Sequence, residues 1–178
     1  AWLVTKSLGL SADVFTHAIA TFTGAAKRLE LLAQSENCLV YRDFAHAPSK
    51  AKATLEAVRA QFPQRKLIAV FELHTFSSLN EAFMKEYAGV MDAADAGAVF
   101  YSKHALELKR MPFLEPQNVA AGFATKNLEI ITDKNNLEAW LQTQNYNKSV
   151  LLLMSSGNYD GLDVAAIAQN ITKPHTPA

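Results

Sequence analysis

The chain has 178 residues, 49% of them hydrophobic and 19% charged, with 17 basic and 17 acidic side chains and a formal net charge of zero. That length supports one domain with a sizeable core, and nothing in the charge balance points to a polyanion-binding surface. No apolar run approaches the roughly 20 residues of a membrane span, the five histidines lack metal-ligand spacing, and the single Cys38 excludes an intrachain disulfide, in keeping with a reducing cytoplasm.

Ala1 to Leu8 carries neither an initiator Met nor a signal-peptide pattern and reads as the end of a helix already in progress, which implies a fragment of a longer protein. Gly9 suits the C-terminal cap of that helix, and Ser11 the N-cap of the next. Val14, Phe15, Ala18, Ile19 and Phe22 share one face of this second helix, which Gly24 ends. Residues 1–24 are therefore expected as linker helices, 25–171 as an α/β core and 172–178 as a tail, within one domain.

A strand is predicted over 29–33 and a second over 38–43, close enough in sequence to pair antiparallel. Pro48 fits the first turn of a helix, where a missing N–H costs nothing, and Ala51, Leu55, Val58 and Phe62 form its apolar face. Lys66 to Phe71 is a near-continuous apolar run, as in a strand buried on both faces. Helical stretches are predicted over 79–87 and 90–94, and a strand over 97–101. Pro112 and Pro116 bracket a loop before a short helix at 119–123. A strand over 128–131, a helix capped by Asp133, a strand over 149–154 and a helix capped by Asp163 complete the core. The alternation predicts a Rossmann-like α/β fold: about six strands, mostly parallel, with helices on both faces and one antiparallel edge strand.

In such folds ligands collect outside the carboxyl ends of the strands. Four loops should therefore open on one rim. They hold Asp43 and His46; His74, Thr75, Ser77 and Ser78; Ser102, Lys103 and His104; and Ser155, Ser156, Gly157, Asn158 and Asp160. Each also has a plain structural reading. Asp43 can bond loop amides, His46 can be a turn residue, Lys27 and Arg28 can be solvated, and Cys38 lacks a basic neighbour that would make it reactive. The chain contains no G-x-x-x-x-G-K-[ST], no G-x-G-x-x-G and no G-x-S-x-G, so it carries no self-contained nucleotide-hydrolysing or acyl-transfer apparatus.

Three stretches then come together: Gly24-Ala-Ala-Lys-Arg-Leu-Glu30, Tyr41-Arg-Asp-Phe-Ala-His-Ala-Pro48 and Leu153-Met-Ser-Ser-Gly-Asn158. In order and spacing they resemble the C-terminal domain of the Mur ligases, ATP-dependent amide ligases of peptidoglycan synthesis. The likeness is nearest the branch of UDP-N-acetylmuramate–L-alanine ligase and the murein tripeptide ligase, and it covers essentially the whole chain. The resemblance implies that missing N-terminal and central domains hold the UDP-N-acetylmuramate, the P-loop and the Mg²⁺ ligands, with no metal site here. The present domain would close over ATP and bind the incoming L-alanine or tripeptide. Arg28 would act as the catalytic residue and reach the ATP phosphates or ribose. Asp43 would bind the ribose or the adjacent adenine edge, and His46 would line the nucleotide pocket. His74, Thr75, Ser155, Ser156, Gly157, Asn158 and Gly161 would line the acceptor side. Neither Arg28 nor Asp43 is expected to fill the apolar core. The sequence departs from the branch at Arg42, where an acidic residue is usual, and at Ala47, where a second histidine is usual. The alternative is a non-catalytic small-ligand or protein-binding module with the same fold.

Overall fold

A computed structural model describes residues 1–22 and 25–173. The proposed helix stop at Gly24 and most of the expected tail lie outside the described residues. Two short helices, α1 (Trp2–Ser7) and α2 (Ala12–Ala20), open the chain and pack through Trp2 and Phe15, whose ring centroids are 5.3 Å apart. Gly9 takes a left-handed φ of 82°, and the Ser11 hydroxyl accepts from the Val14 amide, as the sequence predicts.

The six strands are β1 (Glu30–Gln34), β2 (Cys38–Asp43), β3 (Lys66–Glu72), β4 (Ala96–Phe100), β5 (Leu128–Ile131) and β6 (Ser149–Met154). They form one sheet in the order β1-β2-β6-β3-β4-β5. The β1–β2 pair is antiparallel and every other pair parallel, which is the fold predicted from the apolar runs. β1 starts one residue later than predicted because Leu29 sits in the left-handed region at φ 45°, which a strand cannot contain.

Apolar side chains alternate between two cores. On one face Leu67, Ala69, Phe71, Val150, Leu152 and Met154 meet Ala51, Leu55 and Val58 of α3 (Pro48–Gln61). On the other Ile68, Val70, Leu151 and Leu153 meet α6 (Lys134–Gln142) and α7 (Val164–Thr172) through Leu137, Leu141 and Ala168. Asp133 and Asp163 cap these last two helices by accepting from the amides of Asn135 and Asn136, and of Ala165 and Ala166.

The segment between β3 and β5 differs most from expectation. Residues 81–87 form a 3-10 helix rather than an α-helix, and the helix expected over 90–94 is a run of turns, because Gly89 at φ 69° breaks the screw. A helix that the sequence did not disclose, α4 (Lys103–Leu108), follows β4, and α5 (Pro116–Phe123) starts at Pro116 rather than at 119. Gly122 lets α5 press onto the 3-10 helix: a Cβ there would stand 2.5 Å from Met84 Cβ and 2.9 Å from its carbonyl. This brings the Phe123 ring into a stack with Tyr87, centroids 4.8 Å apart, beside Phe71.

Phe123 is fully buried in that aromatic cluster. Phe123→Ala is expected to lower unfolding free energy by about 3–5 kcal/mol through lost burial and the cavity left behind, read as a shift of the denaturation midpoint at unchanged slope.

Candidate functional site

Parallel register sets the strand ends along one edge. Asp43 pairs with Met154, Met154 with Phe71, and Glu72 with Phe100. The chain leaves β2, β3 and β4 toward the face that carries α3, and leaves β6 toward the face that carries α7. Connections therefore diverge on either side of β6, the topology that in open α/β sheets marks the ligand crevice outside a strand's carboxyl end. The loops after β2, β3 and β6 meet there.

The first cluster surrounds Asp43. Its Oδ2 accepts from the Leu29 amide at 2.8 Å, and its Oδ1 accepts from the Ala45 amide at 2.7 Å and the Thr54 hydroxyl at 3.4 Å. Asp43 thus ties the turn ahead of β1 to the end of β2 and the start of α3. Arg28, one residue before the bonded amide, is exposed in that turn, flanked by the left-handed residues Lys27 and Leu29. The two candidate nucleotide-binding residues therefore lie together at the rim. Asp43 also carries a structural load that the sequence reading did not give it. His46 Nδ1 lies 2.8 Å from the Phe44 carbonyl, which only accepts, so that nitrogen bears the proton. The Phe44 and His46 rings meet edge-on, centroids 5.1 Å apart.

The second cluster centres on Glu72, which no sequence signal had singled out. Its side chain is 2% exposed at the end of β3. Oε2 accepts from the Ser155 hydroxyl and, at 3.1 Å, from the Tyr159 amide. Oε1 faces His74 Nδ1 at 3.6 Å. The Ser155 hydroxyl oxygen also accepts from the Gly157 amide at 2.7 Å, and the Ser155 amide donates to the Asp43 carbonyl at 3.0 Å, which joins the two clusters. Gly157 must be glycine here: a Cβ would stand 2.7 Å from the His74 ring and 2.8 Å from Glu72 Oε2. The loop then runs through three left-handed residues, Tyr159, Asp160 and Gly161.

The remaining candidates sit apart from this contact. Thr75 closes its own turn, accepting from the Ser78 amide at 3.1 Å. The Ser156 hydroxyl is buried without a partner among the described residues, Asn158 is exposed, and open space surrounds Gly161. An open groove of about 510 Å³ lies between the start of α3 and the 3-10 helix, but none of the candidate residues lines it. No group of three or more His, Cys, Asp or Glu among the described residues could hold a metal ion.

Burial is the largest influence on the Glu72 carboxyl and pushes it above the ordinary carboxylate range; Ser155, Tyr159 and His74 pull it back, and Asp160 raises it. A raised folded-state pKa means that the folded chain holds this proton more tightly than the unfolded chain. The contribution to stability is full below the unfolded value of about 4.3 and is lost as pH rises through the folded value. Glu72→Gln is expected to flatten the fall in stability between acid and neutral pH, measured by denaturant titration across that range. Asp43→Ala leaves the Leu29 and Ala45 amides without their acceptor and is expected to destabilise the fold by about 1–3 kcal/mol. Asp43→Asn should recover part of this loss in the same titration.

The comparisons with known proteins agree with this architecture. The family model described as "Mur ligase, glutamate ligase domain" matches residues 27–157. The UDP-N-acetylmuramate–L-alanine ligase of Roseiflexus castenholzii is 28% identical over 165 residues, covering 91% of this chain and 33% of that protein. Among solved structures, UDP-N-acetylmuramate–alanine ligase from Thermotoga maritima superposes with a TM-score of 0.70 at 17% identity, over 94% of this chain and 35% of that one. A MurF ligase from Thermotoga maritima in complex with ADP superposes at 0.60 and 19% identity, over 96% of this chain and 35% of that one. The chain spans from 19% to 33% of the length of such curated relatives. With the matched segment running from the turn that holds Arg28 to the loop that covers Glu72, the chain belongs to the Mur ligase family, in its glutamate ligase domain.

Proposed function

We propose that this chain is the C-terminal domain of an ATP-dependent amide ligase of peptidoglycan synthesis or recycling. It would join UDP-N-acetylmuramate to L-alanine or to a tripeptide, in the cytoplasm where these nucleotide substrates occur. The carrying observation is the rim itself. Within the family-matched segment, Arg28 and Asp43 are drawn together at one side of β6, and His74, Ser155 and Gly157 at the other. In this reading the first group meets ATP and the second meets the acceptor. Arg28 is exposed and permanently charged, and its planar fork suits phosphate oxygens. Asp43 keeps acceptor capacity for a ribose hydroxyl beside its structural bonds, since each carboxylate oxygen offers two lone pairs. His46 and Thr75 border the two groups, and Ser156, Asn158 and Gly161 extend the acceptor side.

Mg²⁺ and the P-loop belong in this reading to a central domain, where the ion would neutralise charge on the transferring phosphoryl group. The reaction class is activation of a carboxylate as an acyl phosphate, followed by attack of the acceptor amine. No helix among the described residues is long and apolar enough to cross a membrane.

Steady-state kinetics of the full-length polypeptide test the assignment. Arg28→Ala is expected to lower kcat by about 10²–10³-fold, the scale of removing one preorganised donor from a charge-stabilising site. Asp43→Asn should act mainly on the ATP KM. The 178-residue chain by itself is expected to turn over neither ATP nor UDP-N-acetylmuramate. Unchanged constants in both variants would refute the residue assignment. A full-length protein that binds but never ligates would favour the non-catalytic binding module.

A further inference from the structure

Glu72 is an uncommon residue at the end of a strand whose other five inner positions are apolar and buried. A buried carboxylate is retained at a cost unless hydrogen bonds or a charge partner offset it. Here Oε2 is held by the Ser155 hydroxyl and the Tyr159 amide, while Oε1 is directed at His74 Nδ1, 3.6 Å away. The His74 side chain is 35% exposed, so the ring keeps a part open to solvent while its Nδ1 faces the buried carboxylate. The backbone at Gly157 covers the pair so closely that no larger residue fits. Asp160 and Tyr159, from the loop after β6, are the other titratable groups that face Glu72.

A shielded carboxylate behind a part-exposed imidazole is an arrangement for accepting and holding a proton. We propose that His74, backed by Glu72, is the catalytic base that deprotonates the incoming amine, an inference that rests on the ligase reading above. The need is chemical. An α-amino group has a pKa of about 7.7–8.0 and reaches the site largely as ammonium, which has no lone pair for attack. His74 Nε2 takes one proton from the ammonium, and the new imidazolium is stabilised by the Glu72 carboxylate. The neutral nitrogen then attacks the acyl phosphate carbon. The C–N bond forms, the C–O bond to phosphate breaks with its electron pair leaving on phosphate, and the second amine proton leaves with that phosphate. His74 returns its proton to solvent through its exposed edge.

The full-length protein, given ATP and UDP-N-acetylmuramate, is assayed with two acceptors. One is L-alanine or the tripeptide, whichever the unmutated protein uses faster; the other is hydroxylamine, which is already neutral at working pH and traps the acyl phosphate as a hydroxamate. His74→Gln is expected to slow amide formation with the natural acceptor by about 10²–10⁴-fold in kcat, while hydroxamate formation stays within a few-fold and so reports an intact fold. Glu72→Gln should lower kcat for amide formation with the natural acceptor while hydroxamate formation stays within a few-fold, a split that a merely structural role would not produce. Normal amide formation by His74→Gln, or a parallel loss of both products, overturns the assignment of the base. Unchanged amide formation by Glu72→Gln, or a parallel loss of both products, overturns the part given to Glu72. Failure of the unmutated protein to form hydroxamate overturns the ligase reading and this inference with it.

Discussion

The structure depends on the insertion of β6 between β2 and β3. All six of its residues are buried, and each edge pairs in parallel with a neighbour. Parallel pairing leaves both faces to be covered, so every position is apolar apart from Ser149, whose hydroxyl donates to the Tyr146 carbonyl. The strand comes late in the chain yet occupies the middle of the sheet. The β2–α3–β3 unit therefore holds a gap that only residues 149–154 fill, and neither core closes without them. Such a non-local contact is slow to form because chain entropy is lost before the pairing is gained.

The two ends of the sheet are finished with opposite chemistry. At the amino ends of the strands, guanidinium groups collect carbonyls. Arg59 donates to Ala93 and Arg65 and pairs with Asp95 at 2.5 Å, and Arg65 donates to the carbonyls of Glu36, Asn37 and Ser149. At the carboxyl ends, carboxylates collect amides: Asp43 takes Leu29 and Ala45, and Glu72 takes Tyr159. Loops that turn away from strand ends leave unpaired backbone groups, and a charged partner satisfies several at once. The same carboxylates lie beside the residues given catalytic roles in the proposed function: Arg28 in the turn tied to Asp43, and His74 against Glu72. The plain reading of Asp43 is the one its bonds to the Leu29 and Ala45 amides display, and those same bonds leave the proposed nucleotide role compatible with it.

The two opening helices stand apart in character. Leu3, Val4, Leu8, Val14 and Phe22 are all more than half exposed, whereas the central strands β3 and β6 are buried along nearly their whole length. Their mutual contact through Trp2 and Phe15 buries only a small part of their apolar surface.

By itself the sequence determined the strands, the helix caps and the class of the fold. Continuous apolar runs such as Leu67–Phe71 and Val150–Met154 have few other uses in a chain of this composition, and Asp133, Asp163, Ser11 and Pro48 act on backbone groups within three residues of themselves. Local rules suffice for local bonds. They failed in the stretches on either side of β4, where Gly89 takes a left-handed turn and α4 buries only Leu106 of its six residues, too little for a periodic signal. Tertiary structure alone decided the position of β6 in the sheet, and with it the crevice. It also decided the place of Glu72, whose partners Ser155 and Tyr159 lie 83 and 87 residues further along the chain. A charge at the end of an apolar run was the trace that Glu72 itself left in the sequence, although its neighbours His74, Ser155 and Gly157 stood out as rim residues, because a hydrogen bond between residues so far apart leaves no spacing to read.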